Sequence, residues 1–283
     1  MENVQKIGII GAGKVGASLG AYFINKGVAV TGFYDSVSEN ALFAAVRTDT
    51  RWYGTLSEIL AENEVIMIAV PDDFICSVWD QCRFSPIAGK CFFHCSGVLS
   101  SDVFLGHVHA DVHVGSLHPV CAVNSREAEG VFSGKFFVLE GDQTGLEMLK
   151  SLMMTTGNDF RVVAPEEKTR YHAATVASSN LFCALAAMAE DWMENCGFDA
   201  QTAHEMLVPL MLGNMEHIAK DGIVSALTGP VERGDAGTVA RHLLALQGDD
   251  REIYRLLSLR LVEVARQKHP DKDFTNLLNV LMK

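Results

Sequence analysis

At 283 residues the chain is long enough for about two average domains, and its 48% apolar and 20% charged composition is that of a globular protein with sizeable cores. A net charge of −12 without any basic cluster excludes nucleic acid and anionic membrane as partners. No secretory signal or membrane span is legible, the longest apolar stretch (Leu181 to Ala189) being too short to cross a bilayer, and seven cysteines mostly in apolar surroundings read as buried thiols of a cytoplasmic protein.

The first predicted element is a strand, Ile7 to Ile10, running into Gly11-Ala12-Gly13-Lys14-Val15-Gly16. A helix follows, with apolar positions at Val15, Leu19, Tyr22 and Phe23, and then a second strand, Val28 to Tyr34, ending in Asp35. Glycines at this spacing serve a tight turn, close approach of backbone to a pyrophosphate, and close helix–strand packing. The helix start offers unpaired N–H groups to phosphates, and an acid about 20 residues on accepts from ribose hydroxyls. The pattern therefore predicts a dinucleotide cradle.

Strands and helices continue to alternate. Further strands are expected at Val65–Val70, Cys91–His94, Val112–Ser116, Phe136–Leu139 and Asp159–Val163, with helices at Leu56–Glu62, Asp72–Cys82 and Gly145–Thr156. This alternation is that of a parallel, doubly wound α/β sheet. From Pro165 onward nearly everything reads as helix, interrupted near Gly197, Pro209, Gly222 and Thr228–Gly237. The expected organisation is a dinucleotide-binding Rossmann domain over 1–163 and an all-α domain over 164–283. Pro165 suits a first helical turn, Glu166 and Glu167 suit its dipole, and Gly197 suits a stop. On one long helix Ala173, Ala174, Ala177, Leu181, Ala184, Leu185 and Met188 share an apolar face, while Lys168, His172, Thr175 and Ser179 fall opposite, as on a helix lining a polar cleft.

Ligands of doubly wound sheets bind outside the carboxyl ends of strands, which places Val70 and Pro71 beside the cofactor and Ser96 and His118 beside the chemistry. Ser96 either bonds substrate or carboxamide, or caps its own turn. His118 can polarise a carbonyl or donate a proton. Arg233, in a Gly-rich loop, can clamp a carboxylate or pair with Glu232 or Asp235, and Asp235 suits the cap of a following helix. Cys91, His94, Cys95, His107, His109, His113 and His118 crowd together, but their spacing fits no metal site and none is expected.

The segments Gly11-Ala-Gly-Lys-Val-Gly16, Val70-Pro-Asp72, His94-Cys-Ser-Gly97, Gly115-Ser-Leu-His-Pro119, Lys168-Thr-Arg-Tyr-His172 with Asn180, and Leu227-Thr-Gly-Pro-Val-Glu-Arg-Gly-Asp235 resemble the 6-phosphogluconate-dehydrogenase-like superfamily. Within it the chain is similar to a branch of Rossmann-like oxidoreductases with a C-terminal helical domain of unknown function, and more distantly to pyrroline-5-carboxylate reductase and ketopantoate reductase. The resemblance spans nearly the whole chain. It implies Lys168 or His172 as proton donor, Asn180 as a substrate contact, and a homodimer built through the helical domain. Relatives often carry an Arg after the second strand to read a 2′-phosphate; here Asp35-Ser-Val-Ser38 stands instead, which favours NAD(H) and leaves NADP(H) as the second cofactor.

The expected activity is hydride transfer between a nicotinamide cofactor and a small carbonyl, imine or hydroxyl compound. Lys168 or His172 would be the proton donor, His118 and Ser96 would hold the reacting atom, and Arg233 would fix a carboxylate. Two rivals differ in class: a non-catalytic NAD(P)(H)-binding sensor or scaffold, and an S-adenosylmethionine methyltransferase, against which Gly16 and the helical domain count.

Overall fold

The computed structural model describes residues 5–104 and 111–283, which form two compact units, 5–178 and 179–283. In the first, β1 (Ile7–Ile10), α1 (Lys14–Asn25), β2 (Val30–Tyr34), α2 (Ser38–Thr48), β3 (Arg51–Trp52), α3 (Leu56–Glu62), β4 (Val65–Ile68), α4 (Asp72–Cys82), β5 (Cys91–His94), β6 (His113–Pro119), β7 (Phe137–Gly141), α5 (Gln143–Thr156), β8 (Phe160–Val162) and α6 (Lys168–Ser178) follow in order. The eight strands line up as β3-β2-β1-β4-β5-β6-β7-β8. Reversal of direction from β1 opens a crevice beside the Gly-rich turn, where ligands of such sheets bind.

Alternation along the strands divides the core between the two faces of the sheet. Ile7, Ile9, Val65 and Met67 join Leu19 and Phe23 of α1 on one side; Ile10, Ile66 and Ile68 join Ile75 and Trp79 of α4 on the other. Thr55 caps α3 by accepting from the Glu58 N–H, and Pro71 opens α4, so both helices begin and end where the sequence places them.

The structure departs from the sequence reading in several places. The sheet is not wholly parallel: β7 runs antiparallel to β6, pairing Ser116 with Glu140 and His118 with Val138. Between them, residues 120–136 form no α-helix, only a short 3-10 turn, Glu129–Phe132, so the helix that usually carries a parallel crossover is missing and β7 returns alongside β6 in the opposite direction. Strand β3, two residues long, is too short to leave a pattern. The helix expected to run unbroken past Ser179 is interrupted there, at φ −128° and ψ −75°, into α6 and α7 (Asn180–Asn195). The unit boundary consequently falls at 178/179, with α6 packed on the sheet, whereas the composition change lies at 163/164. Finally, Cys82 and Cys91 are buried, but Cys76, Cys183 and Cys196 are exposed, because each stands on the outward side or end of its helix.

The second unit contains α7, α8 (Ala200–Ala226), α9 (Ala236–Ala245), α10 (Gly248–Lys268) and α11 (Thr275–Leu281). Gly222, at φ 80°, breaks α8 one turn before its end. Its core gathers Val239, Leu243, Val262, Ala265, Leu277 and Leu281 from α9, α10 and α11. Helix α7 buries nothing and α8 only Ala203 and Ala226. Pro165–Asn195 is apolar enough by composition to cross a membrane, a longer window than the sequence reading recognised. The break at Ser179 interrupts that stretch, where a span needs continuous backbone bonding.

Candidate active site

Each glycine of the first turn has a separate reason to lack a side chain. Gly11 sits at φ +97°, and a Cβ there would come within 2.7 Å of the Ala69 carbonyl. A Cβ on Gly16 would lie 1.9 Å from the Gly11 oxygen. On Gly13 it would meet no protein atom within 4 Å, so packing does not demand glycine there. Gly13 is also the N-cap of α1 and supplies no side-chain cap, which leaves the first N–H groups of the helix for an anion. A dinucleotide pyrophosphate fits this open, uncapped turn.

Asp35 closes the other side. One carboxylate oxygen accepts from the Ala12 N–H at 2.7 Å and the other from the Val37 N–H at 2.9 Å. It thereby holds the glycine turn in shape before any ribose reaches it. Gly11, Gly13, Asp35, Asn40, Val70 and Pro71 line one cleft of about 450 Å³. A second, of about 380 Å³, runs from Gly13, Lys14 and Val15 past Val70 and Pro71 to Asp72, Cys95 and Ser96.

Behind this second cleft lies a cluster of polar side chains from three elements. Ser116 and His118 alternate on β6 and so share a face, Leu117 between them entering the core. Lys168, Tyr171 and His172 occupy positions i, i+3 and i+4 of α6 and share a face of that helix. The turn after β5 supplies Ser96 and Gly97. Lys168, 1% exposed, donates to the Ser96 carbonyl at 2.8 Å and to the Ser116 hydroxyl at 2.9 Å. Burial lowers its pKa to about 8, against the opposing pull of Glu140, Cys95 and Asp72. The Nδ1 of His118 and the Tyr171 hydroxyl are 2.6 Å apart, and the His118 and His172 rings meet edge to face at 5.7 Å. Burial, with the charges of Lys168 and His172, brings His118 down to about 4, so it is neutral at pH 7. Burial likewise pushes Tyr171 up to about 12. Both imidazoles close on Gly97, where a Cβ would fall 2.4 Å from Nδ1 of His172 and 2.9 Å from Nε2 of His118.

Lys168, His172, His118 and Ser96 are thus brought together, as the sequence reading expects. Ser96 behaves differently from a substrate-binding hydroxyl. It donates to Asp72 at 2.8 Å and accepts from the Val98 and Leu99 N–H groups, so it caps its own turn and serves the cluster through its carbonyl. The polar side of α6 faces inward, while Ala173, Ala174 and Ala177 are exposed. Tyr171 and Glu140 were not anticipated. Glu140, buried on β7, accepts from the Ser101 N–H (2.8 Å), the Ser101 hydroxyl (2.6 Å) and the Ser116 hydroxyl (2.9 Å). Tyr171 was legible as an aromatic one turn beyond Lys168; Glu140 was not.

His94 has both ring nitrogens engaged: Nδ1 accepts from the Ser96 N–H and Nε2 donates to the Ser100 carbonyl. Neither is left for a metal. His107 and His109 lie outside the described residues, and among the described residues no group of three potential ligands assembles. Asn180 and Arg233 belong to the second unit. Asn180 begins α7 and accepts from the Ser179 hydroxyl. Arg233 is exposed; Glu232 pairs with His269, and Asp235, close enough to feel the Arg233 charge, caps α9 by accepting from the Thr238 N–H.

Two family models match parts of the chain. Residues 5–83 match "Oxidoreductase family, NAD-binding Rossmann fold", and residues 135–261 match "Domain of unknown function (DUF2520)", which takes in β7, β8 and all of α6. No curated protein matches the sequence. Among solved structures, protein TM1727 from Thermotoga maritima is 25% identical at a TM-score of 0.75, over 93% of this chain and 99% of that one. A reductive aminase from Aspergillus terreus, solved with NADPH and ethyl-5-oxohexanoate, is 13% identical at 0.66, over 98% and 99%. Plasmodium falciparum pyrroline carboxylate reductase, solved with NADP, is 15% identical at 0.60, over 95% and 97%. Residues 5–83 therefore carry an NAD-binding Rossmann fold of the oxidoreductase type, and residues 135–261 carry a domain of unknown function.

Proposed function

We propose that the protein is a dehydrogenase or reductase that moves a hydride between NAD(P)(H) and a small carbonyl, imine or hydroxyl compound, with Lys168 as its proton donor. The observation that carries this reading is the shared cleft: Gly13 and Lys14 of the phosphate turn line it together with Cys95 and Ser96, and the Ser96 carbonyl holds the Lys168 ammonium. When bound, the nicotinamide supplies the hydride. Two of the three Lys168 N–H groups are fixed on Ser96 and Ser116, and the third has no acceptor among the described residues. A buried donor without a partner is costly unless a ligand heteroatom completes it. A pKa of about 8 keeps that proton in place at neutral pH yet easily given up. His118, neutral and held by Tyr171, and His172 beside it shape the wall against which the reacting atom rests. Asp72 and Ser96 hold the turn rather than the substrate.

The test pairs binding with turnover. NADH and NADPH are titrated by nucleotide fluorescence, and oxidation of the bound form is followed with a panel of small aldehydes, ketones and cyclic imines. Lys168→Met should lose at least 100-fold in turnover and leave nucleotide affinity within about two-fold. Equal loss of both would remove Lys168 from the proton-donor role, and full function without Lys168 and His172 would favour the sensor reading.

We also infer a cytoplasmic homodimer built through the helical unit. Met206 and Leu210, one turn apart on α8, are 49% and 70% exposed, an apolar surface of the kind that oligomers cover. Light scattering at micromolar concentration should give twice the chain mass.

A further inference from the structure

Asp35 carries a negative charge at the place where an adenosine ribose would project its 2′ position, and alone it would repel a phosphate there. It is not alone. Asn40, in the first turn of α2 and on the wall of the same cleft, donates from Nδ2 to Asp35 Oδ1 at 3.4 Å. The other end of that amide, Oδ1, accepts from Nη1 of Arg126 at 2.8 Å. Arg126 comes from the long connection between β6 and β7, 86 residues away in sequence, and stands one side chain from the acid.

Arg126 is held firmly. Its guanidinium lies over the Phe43 ring, 4.7 Å from the centroid, and its carbonyl accepts from Nη1 of Arg47 at 3.3 Å. Arg47 has its own counter-ion in Glu129. Ser18 of α1 ties down the same connection, donating to the Ser125 carbonyl at 2.9 Å and accepting from the Ala128 N–H at 3.1 Å. Arg126, by contrast, has no carboxylate partner among the described residues, in a chain whose net charge is −12. One of its five N–H donors is engaged on Asn40, and the planar fork suits a phosphate better than it suits a single amide.

We propose that Arg126 is the phosphate-reading residue of the nucleotide cleft, so that the protein accepts dinucleotides bearing a ribose 2′-phosphate as well as those bearing a free 2′-hydroxyl. Asp35 and Arg126 face each other across Asn40, the acid accepting from a hydroxyl and the guanidinium donating to a phosphate. This rests on the reading of the first unit as a nicotinamide-nucleotide domain and adds to it the residue that sets cofactor choice. The sequence reading looks for a cation just after β2, finds Asp35-Ser-Val-Ser38 and favours NAD(H); the fold supplies the cation from elsewhere.

The experiment measures dissociation constants for NADH and NADPH with the full chain and with Arg126→Gln and Arg126→Lys, alongside thermal midpoints. For the unaltered protein NADPH should bind within about ten-fold of NADH. Arg126→Gln should weaken NADPH about ten-fold or more while NADH stays within two-fold, and Arg126→Lys should retain part of the NADPH affinity. The adenosine half alone reports the same contact: 2′-AMP should displace NADPH from the full chain and lose that ability in Arg126→Gln. Parallel weakening of both dinucleotides would make Arg126 a brace for its loop and overturn the proposal, as would no change in either. An unaltered protein that binds NADH but not NADPH overturns the proposal and leaves the Rossmann reading standing. Binding of neither overturns both.

Discussion

Lys168, the first residue of α6, donates to the hydroxyl of Ser116 on β6, and that hydroxyl in turn donates a hydrogen bond to Glu140 on β7. A buried ammonium and a buried carboxylate are thus linked through one hydroxyl rather than in direct contact. Each ion reduces the cost of burying the other. Ser96 O and the two Ser101 donors complete the chain of bonds, so α6 is fastened to the sheet by a polar network rather than by apolar packing.

Removing one charge from that network should therefore cost more than its hydrogen bonds alone. Glu140→Gln keeps the shape and deletes the charge, and we expect a loss of about 2–3 kcal/mol in urea unfolding. Combined with Lys168→Met the loss should fall short of the sum by about 1 kcal/mol or more. Strict additivity would show that the two ions do not feel each other through Ser116.

The glycine turn offers a pair of substitutions with opposite outcomes. Gly13→Ala places a methyl group in open space on an extended residue (φ −71°), so the fold should be unharmed and gain up to about 1 kcal/mol from a stiffer unfolded chain. Its nucleotide affinity should nevertheless fall at least ten-fold, because the methyl fills the space for the pyrophosphate. Gly16→Ala drives a methyl into the Gly11 carbonyl and should cost both stability and binding. Thermal midpoint and NADH titration on the two proteins separate these cases; unimpaired binding by Gly13→Ala would mean that no phosphate sits there.

Gly97 tests the histidine pair. An added methyl group would reach both His172 Nδ1 and His118 Nε2, and the two rings cannot move apart without disturbing Tyr171. Displacement of about 1 Å at a reacting centre costs on the order of 100-fold. Gly97→Ala should lose turnover to that extent while binding nucleotide nearly as before. Unchanged turnover would place the imidazoles outside the reaction.

How far these features could be read beforehand depended on how local their cause was. Thr55 and Pro71 mark their helix starts by their own chemistry, and the three glycines and Asp35 act within one βαβ unit, so all were legible. The reversal of β7 leaves only a missing helix in residues 120–136, a weak signal because no α-helix stands among the described residues between the parallel strands β5 and β6 either. Glu140 looks like any acid near a strand end. Its importance comes from pairing with Ser116, which the antiparallel register creates. Arg126 and Asn40 are 86 positions apart and no spacing rule joins them. The break at Ser179 had a local cue in Ser178-Ser179-Asn180, residues whose side chains compete with helix bonding, but the apolar periodicity ran through it and masked the cue.

Acid and alkali should each unfold the protein for identifiable reasons. Burial brings His94 and His118 down to about 4, below the usual 6.5, so the unfolded chain binds more protons between those values. Stability is then complete above pH 6.5 and declines as pH falls towards 4. His94, fully buried, accounts for about 3 kcal/mol of that decline, and half-buried His118 for less. At the other end, burial pushes the Cys82 and Cys91 thiols up to about 12 from 9, so the folded state keeps protons that the unfolded chain releases, and stability falls as pH rises from 9 towards 12. Lys168, lowered to about 8, works the other way between 8 and 10.5, because its buried charge is relieved as it deprotonates. Urea midpoints at pH 4.5, 7.5 and 10.5 should trace a dome. His94→Gln should flatten its acid side and Lys168→Met should steepen its alkaline side. An acid limb unchanged in His94→Gln would assign acid unfolding to the carboxylates instead.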